Sequence, residues 1–311
     1  MNHRSPRGAL RITLASHARC ATPTAAVFVL CAVLTACGGS RGPRSTIVRD
    51  GNVEVGEVKA LSQFGLSRVW GYSGVIAPAL PAGGRTRARI YFLERYDPAR
   101  IPVVFVYGMM GTPTQFESLV AGLDRSRFQP WIFHYRTGDR LDASADALWR
   151  GLTLARRRFG ARRVILVAHS MGGLVTRRAL SLWMDDAAGS RTERVPCFVT
   201  IASPLGGHPA AARGAAAPRG VPAWTDLAPG SAFLQSLHTQ PLPDSVRYFL
   251  VTATGQDGTT DGVVPVVNQR PPRALGEADQ QSAYPSAHVA VLSDAAVLRD
   301  VHAFLGQCAA R

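Results

Sequence analysis

No stretch of this sequence spaces its cysteines, histidines and acids as a metal site would, so no cofactor is implied and no ligand cluster calls for a metal. No segment repeats at a fixed period, which sets aside solenoids and propellers. The apolar run at residues 25–34 is too short to span a bilayer comfortably as a permanent helix. Lysine is nearly missing: Lys59 is the only one, so arginine carries almost all of the +14 formal charge. A basic balance of this size suits a polyanion. The arginines are scattered, however, and many fall on the outer face of helical patterns, which reads as a solvated basic surface without a nucleic-acid groove.

What is present begins with a leader. Arg4, Arg7, Arg11 and Arg19 precede the apolar run, and no acid lies among residues 1–36. That order reads as a secretory signal. The run ends in Leu34-Thr35-Ala36-Cys37-Gly38, which resembles a bacterial lipoprotein signal, with small residues before a cysteine that takes lipid and becomes the first mature residue. The resemblance implies a signal peptide at 1–36 and an exported chain held on the bacterial envelope membrane by lipidated Cys37. Residues 37–45, rich in glycine, serine and proline, read as a flexible tether. Cys20 and Cys31 would leave with the signal. Cys197 and Cys308 remain, either as a disulfide in an oxidising compartment or as two separate buried thiols.

Residues 46–311 suffice for one large α/β domain. Residues 46–76 mix short apolar runs with five glycines and resist classification. Beyond them the pattern alternates. Strands are expected at 89–93, 101–107, 130–135, 164–169, 197–202 and 246–252, with helical patterns at 114–123, 145–159, from Leu174 through Trp183, and after Asp294. Residues 204–223 read as a loop rich in proline, glycine and alanine. Strands alternating with helices predict a mostly parallel central sheet with helices on both faces.

The stretch with the most chemistry is Ala168-His169-Ser170-Met171-Gly172-Gly173, at the end of an apolar β-branched run. It reads as strand, sharp turn and helix with Ser170 at the tip. A serine in that strained position needs small neighbours, and Ala168 and Gly172 supply them. Ala168 stands where the Gly-x-Ser-x-Gly pattern has its first glycine. Serine needs a base to take its proton, and the base needs a carboxylate to hold its tautomer. In this architecture both follow the serine along the chain. Asp261, in the turn-rich loop after the 246–252 strand, is the favoured acid, with Asp257 as its rival. His288 is the favoured base. His302 falls in the last helical pattern and reads as a helix-surface residue, His238 precedes the acid, and His169 shapes the turn beside the serine. The backbone N–H of Met171 and that of Met109, or Met110 as its alternate, are the candidate donors of an oxyanion hole.

With those residues in view, the chain resembles the α/β-hydrolase fold lipases and esterases. The resemblance rests on Tyr107-Gly108-Met109-Met110-Gly111, the serine turn, Asp261-Gly262-Val263-Val264-Pro265, and His288 before a terminal helix. Thr200-Ile201-Ala202-Ser203-Pro204-Leu205-Gly206-Gly207 and the stretch from Asp226 to Leu234 also look like segments of triacylglycerol lipases. Lipases commonly have histidine where this chain has Tyr107. The resemblance implies a serine hydrolase of acyl esters or lipids, acting through an acyl-serine intermediate, with residues 204–243 as a lid-like insertion over the site. An acyltransferase on the same three residues, or a catalytically silent lipoprotein that uses the fold for binding, are the other readings. The sequence names no protein partner.

Overall fold

The apolar, β-branched runs become the inner strands of a nine-stranded sheet. A computed structural model of the chain describes residues 47–64, 88–185, 195–216 and 220–309. The expected signal at 1–36, the tether at 37–45 and Cys37 lie outside the described residues, which all fall within one compact unit, Arg44–Arg311. The strands are β1 (Val48–Asp50), β2 (Val53–Val58), β3 (Ala88–Phe92), β4 (Ile101–Val106), β5 (Phe128–His134), β6 (Ile165–His169), β7 (Cys197–Ile201), β8 (Arg247–Ala253) and β9 (Gln280–Tyr284). Their order across the sheet is β1-β2-β3-β5-β4-β6-β7-β8-β9. From β5 to β9 every neighbouring pair is parallel; β3 runs antiparallel to β5, and β1 antiparallel to β2. Every residue of β6 and β7 is buried, as an unbroken apolar run requires when both faces are covered.

The helices are α1 (Glu117–Ala121), α2 (Leu141–Phe159), α3 (Met171–Asp185), α4 (Pro209–Ala215), α5 (Pro222–Leu227), α6 (Ala232–Leu237), α7 (Val266–Gln269), α8 (Pro272–Glu277) and α9 (Ala295–Ala309). The connections β5–α2–β6 and β6–α3–β7 step one way across the sheet, and β4–α1–β5 steps the other. Right-handed crossovers therefore put α2 and α3 on one face and α1 on the opposite one. The packing agrees: α2 lies against α3, and α9 against α1. The pattern Ala145, Leu148, Leu152 and Ala155 is the buried stripe of α2, whose last turn carries Arg156, Arg157 and Arg158 where the helix dipole favours cations. Gly160 closes it at φ +74°, a left-handed C-cap.

The sheet and its layers are those the sequence predicts, with local differences. Residues 48–58, which resist classification by pattern, form β1 and β2. Their strand character comes from pairing at the sheet edge, which no local period reveals. β9 is half exposed and polar and was likewise silent. Residues 204–223 are not a plain loop: α4 and the start of α5 lie there, each opening on a proline at its first turn. The helix after Ser170 begins at Met171, not Leu174. Gly172 and Gly173 are poor helix formers, but at this first turn nothing larger fits. A β-carbon on Gly172 would come within 2.3 Å of the Val106 carbonyl oxygen, and one on Gly173 within 2.2 Å of Ser203 Oγ. His302 turns inward from α9 and bonds the Leu119 carbonyl oxygen at 2.9 Å, so it belongs to the packing of α9 and not to its outer surface.

Cys197, at the start of β7, and Cys308, in the last turn of α9, are joined as a disulfide with Cα atoms 6.0 Å apart. The bridge closes a loop across 111 residues of sequence and fastens the final helix to the sheet. Restricting so long a loop in the unfolded chain stabilises the fold by about 2–4 kcal/mol. Replacing both cysteines by serine is expected to lower the unfolding free energy from urea melts by that amount, with a lower midpoint and a larger m-value; an unchanged free energy would show that the bridge adds nothing to stability.

Candidate active site

Ser170 stands between the end of β6 and the start of α3 with φ +55°, a conformation that L-residues rarely adopt and that costs on the order of 1–3 kcal/mol. The surroundings hold it there. Its N–H donates to the Ile201 carbonyl oxygen at 2.9 Å, and its own carbonyl oxygen accepts from Gly173 N–H at 2.9 Å. Gly108 is the third close neighbour: a β-carbon there would lie 2.6 Å from Ser170 Cβ. The turn at 108–111, after β4, is thereby pressed against the serine. This is why glycine occupies position 108.

His288 and Asp261 arrive from later loops on the same end of the sheet. His288 Nε2 is 2.9 Å from Ser170 Oγ, and His288 Nδ1 is 2.7 Å from Asp261 Oδ2. His288 N–H also donates to the Asp261 carbonyl oxygen at 2.9 Å, so the two loops are joined through side chain and backbone. Asp261 is buried. Burial pushes its carboxyl pKa up, but the bond with His288 and the N–H groups of Val264 and Val263, at 2.6 and 2.9 Å, outweigh it and hold the pKa below the ordinary value. Asp257, the rival acid, is exposed and bonds Thr259 and Thr260 within its own turn. That keeps its pKa below the usual range and occupies it locally. His238 instead pairs with Glu277 at 3.0 Å.

Several partners carry no motif. Gln269, at the end of α7, donates from Nε2 to Asp261 Oδ2 at 3.1 Å and to the carbonyl oxygens of Ala253 and Val264 at 2.8 and 3.1 Å. It ties the acid to the end of β8. Its only sequence signal is a place eight residues beyond the aspartate. His169 is buried and bonded on both ring nitrogens. Gln115 Nε2 donates to Nδ1 at 3.0 Å, so the proton sits on Nε2 and donates to the His288 carbonyl oxygen at 2.8 Å. His169 therefore steadies the backbone of His288 besides shaping the turn. Tyr107 points into the core, with its hydroxyl 2.8 Å from His134 Nδ1 and bonded to the backbone of Tyr135. Tyr107, where lipases commonly have histidine, thus packs behind the loop.

The backbone N–H of Met110 is 3.2 Å from Thr137 Oγ1. That takes the alternate oxyanion donor out of use and leaves Met109 as the candidate on this loop. Met171, first residue of α3, brings its N–H to the positive end of the helix dipole beside Ser170. Two clefts meet over these atoms and share Met109, Met110, Ser170 and His288. One, of about 430 Å³, lies between the 108–112 loop, Gln115 and Val289. The other, of about 490 Å³, is walled mostly by apolar groups, among them Met171, Pro204, Ala211, Trp224 and Leu227.

Residues between Pro204 and Ala211, with Trp224 and Leu227, wall the second cleft, and they are fastened down. Asp226, buried, accepts from Leu141 N–H at 2.8 Å and pairs with Arg140 at 2.7 Å. Ala223 N–H donates to the Gly138 carbonyl oxygen, Gly206 N–H to that of Asn268, and His208 Nε2 to that of Val263.

Comparison with known proteins bears on the fold. The family model of the PGAP1-like alpha/beta domain matches residues 139–216, less than half of the chain. The mature form of the Bacillus licheniformis lipase BlEst2 superposes with TM-score 0.52 at 20% identity, over 69% of this chain and 94% of that one. The product of gene lin2722 from Listeria innocua superposes with TM-score 0.51 at 16% identity, over 66% and 94%. The chain has the α/β-hydrolase fold. A search of the curated proteins finds no match. In the α/β-hydrolase fold the strand–turn–helix with a serine at its tip, the acid after a later strand and the histidine beyond it follow the chain order seen at 170, 261 and 288.

Burial, with His288 close by, depresses the His169 pKa from 6.5 to about 3, so the ring stays neutral in the folded protein. As pH falls below 6.5 the unfolded chain takes up a proton that the native state refuses, and stability declines until about pH 3. His134, lowered to about 4, acts in the same direction. Melting curves across this window should show the fall in Tm, with a shallower slope in His169→Gln. Parallel slopes in the two proteins would mean that position 169 is protonated in the native state.

Proposed function

We propose that this chain is a serine hydrolase of carboxylic esters, a lipase or esterase, working through an acyl-Ser170 intermediate. The observation that carries the reading is the unbroken chain of short contacts from Ser170 Oγ to His288 Nε2, and from His288 Nδ1 to Asp261. In this reading His288 takes the Ser170 proton as the oxygen attacks the ester carbonyl. Asp261 holds the ring in the tautomer whose Nε2 can accept, and stabilises the imidazolium that forms. The former carbonyl oxygen gains a negative charge, which the N–H groups of Met171 and Met109 bind, each at about 2.7–4 kcal/mol of transition-state stabilisation. His288 then returns its proton to the leaving alcohol, the acyl group stays on Ser170, and water activated by the same histidine releases it.

Two features support an apolar acyl substrate. The larger cleft beside Ser170 is walled mainly by apolar side chains. Met110, Val263 and Val289, three large apolar residues exposed to solvent, line the clefts beside Ser170. The alternatives read from sequence, an acyltransferase on the same residues and a silent binding protein, lack a comparable supporting observation. We further place the signal at 1–36, the tether at 37–45 and the hydrolase domain at 46–311, with lipidated Cys37 holding the enzyme on the bacterial envelope. The leader sequence and a disulfide suited to an oxidising compartment support that placement.

A fluorophosphonate probe is expected to label the folded wild-type protein and to leave Ser170→Ala and His288→Ala unlabelled, with p-nitrophenyl ester hydrolysis lost in parallel by at least about a thousandfold. No labelling of a folded wild type would favour the binding protein. Separately, radiolabelled palmitate fed to expressing bacteria should enter the wild-type chain and not Cys37→Ser. Equal incorporation in both would remove the anchor from position 37.

A further inference from the structure

Resting on the ester-hydrolase reading, we propose that Trp224 is a positioning and specificity-determining residue. Through its bond to Met109 it fixes the oxyanion loop and sets the depth of the acyl cleft with one contact. The indole Nε1–H of Trp224 donates to Met109 Sδ at 3.1 Å, across 115 residues of sequence. Met109 is the candidate oxyanion donor left on this loop, and it borders both clefts. Trp224 comes from α5 and forms part of the apolar wall.

The rest of the loop explains why this contact matters. The turn at 108–111 is closed by Gly111 N–H donating to the Gly108 carbonyl oxygen at 3.0 Å, and Met110 N–H is 3.2 Å from Thr137 Oγ1. Met110 sits at φ +55°, so the loop is held in a conformation that L-residues disfavour. Those bonds fix the loop on the far side of Met109, and the indole grips the Met109 side chain itself. An oxyanion donor acts through its orientation, so slack of a few tenths of an ångström at Met109 reduces the rate without removing the group.

The indole is itself immobilised. A β-carbon on Gly214 would come within 2.1 Å of Trp224 Cε3, so α4 lies directly on the ring. Asp226 and Ala223, on the same short helix, are bonded to the body of the domain. Trp224 thus has a firm support from which to hold Met109. Because the ring also walls the apolar cleft, its bulk limits the acyl chain that can lie beside Ser170.

The two roles separate experimentally. Trp224→Phe keeps an aromatic wall and removes the N–H; Met109→Leu keeps the bulk and removes the sulfur acceptor. Each is expected to lower kcat on p-nitrophenyl butyrate by about threefold to tenfold, the effect of one ordinary hydrogen bond, with KM within about twofold. The double variant should be no slower than the slower single, because both remove the same contact. Trp224→Ala should move the preferred chain length toward longer p-nitrophenyl esters. Thermal midpoints are read alongside, since a purely structural residue would shift Tm without splitting kcat from KM.

Wild-type kcat in Trp224→Phe, losses that multiply in the double variant, or an unchanged chain-length profile in Trp224→Ala would each overturn the proposal. If the wild type hydrolyses no ester and takes no fluorophosphonate, the hydrolase reading falls and this one with it. If the wild type is active and labelled at Ser170 while the variants match it, only the role of Trp224 falls.

Discussion

The site depends on how closely the first turn of α3 approaches the end of β4. Gly172 stands where any side chain would collide with the carbonyl oxygens of Val106 and Tyr107. That approach forces the chain to turn sharply at Ser170, and it leaves the serine in a left-handed conformation with its hydroxyl presented at the tip. It also brings the loop after β4 against the serine, where Gly108 must lack a side chain for the same reason. One steric constraint therefore positions Ser170, the N–H at the head of α3 and the loop that faces them. The strain is held by two backbone bonds to Ser170 and by the strands on each side of β6, β7 buried throughout and β4 buried from Pro102 to Val106.

Asp261 and His288 reach the same place through the parallel order of the sheet. β6, β7, β8 and β9 run in one direction, so the loops that follow them open at one end. Asp261 follows β8 and His288 follows β9, and the two loops are sewn to each other by backbone and side chain. A buried carboxylate is costly unless its lone pairs are filled. Asp261 meets that condition with two backbone N–H groups, the Gln269 amide and the imidazole. Gln269 in turn bonds both the N–H and the carbonyl oxygen of Ala253, so the acid is referred directly to the last residue of β8.

Residues of the segments 204–216 and 220–243 are tied to the rest of the domain by polar contacts that are themselves buried. Asp226 satisfies the first N–H of α2, and Arg177, fully buried on α3, makes a two-pronged pair with Glu277 of α8 while also bonding the Gln240 carbonyl oxygen. His238 bonds the same glutamate. Breaking such a pair by removing one member is strongly destabilising, because the other charge is left buried alone. The helix that begins just after Ser170 is thus linked through its middle to both Gln240 and the helix that holds Glu277.

Much of this was legible beforehand. The unbroken apolar runs at 101–107, 164–169 and 197–202 could bury only as central parallel strands. The small residues around Ser170 named the turn, and the chain order picked Asp261 and His288 from several candidates. Elements whose character comes from neighbours distant in sequence could not be read: β1 and β2 from edge pairing, β9 from a half-exposed polar strand, α4 and α5 from packing on the body. Between Asp261 and Asp257, and between Met109 and Met110, the sequence favours the first of each without excluding the second. Each rival has the same chemistry and lies within a few residues of its competitor. Local sequence specifies which groups are available and which backbone shapes they tolerate. Only the folded chain decides which aspartate is turned inward to the imidazole, which N–H is already bonded to Thr137, and whether Cys197 meets Cys308. Those outcomes depend on distances between segments that share no local pattern.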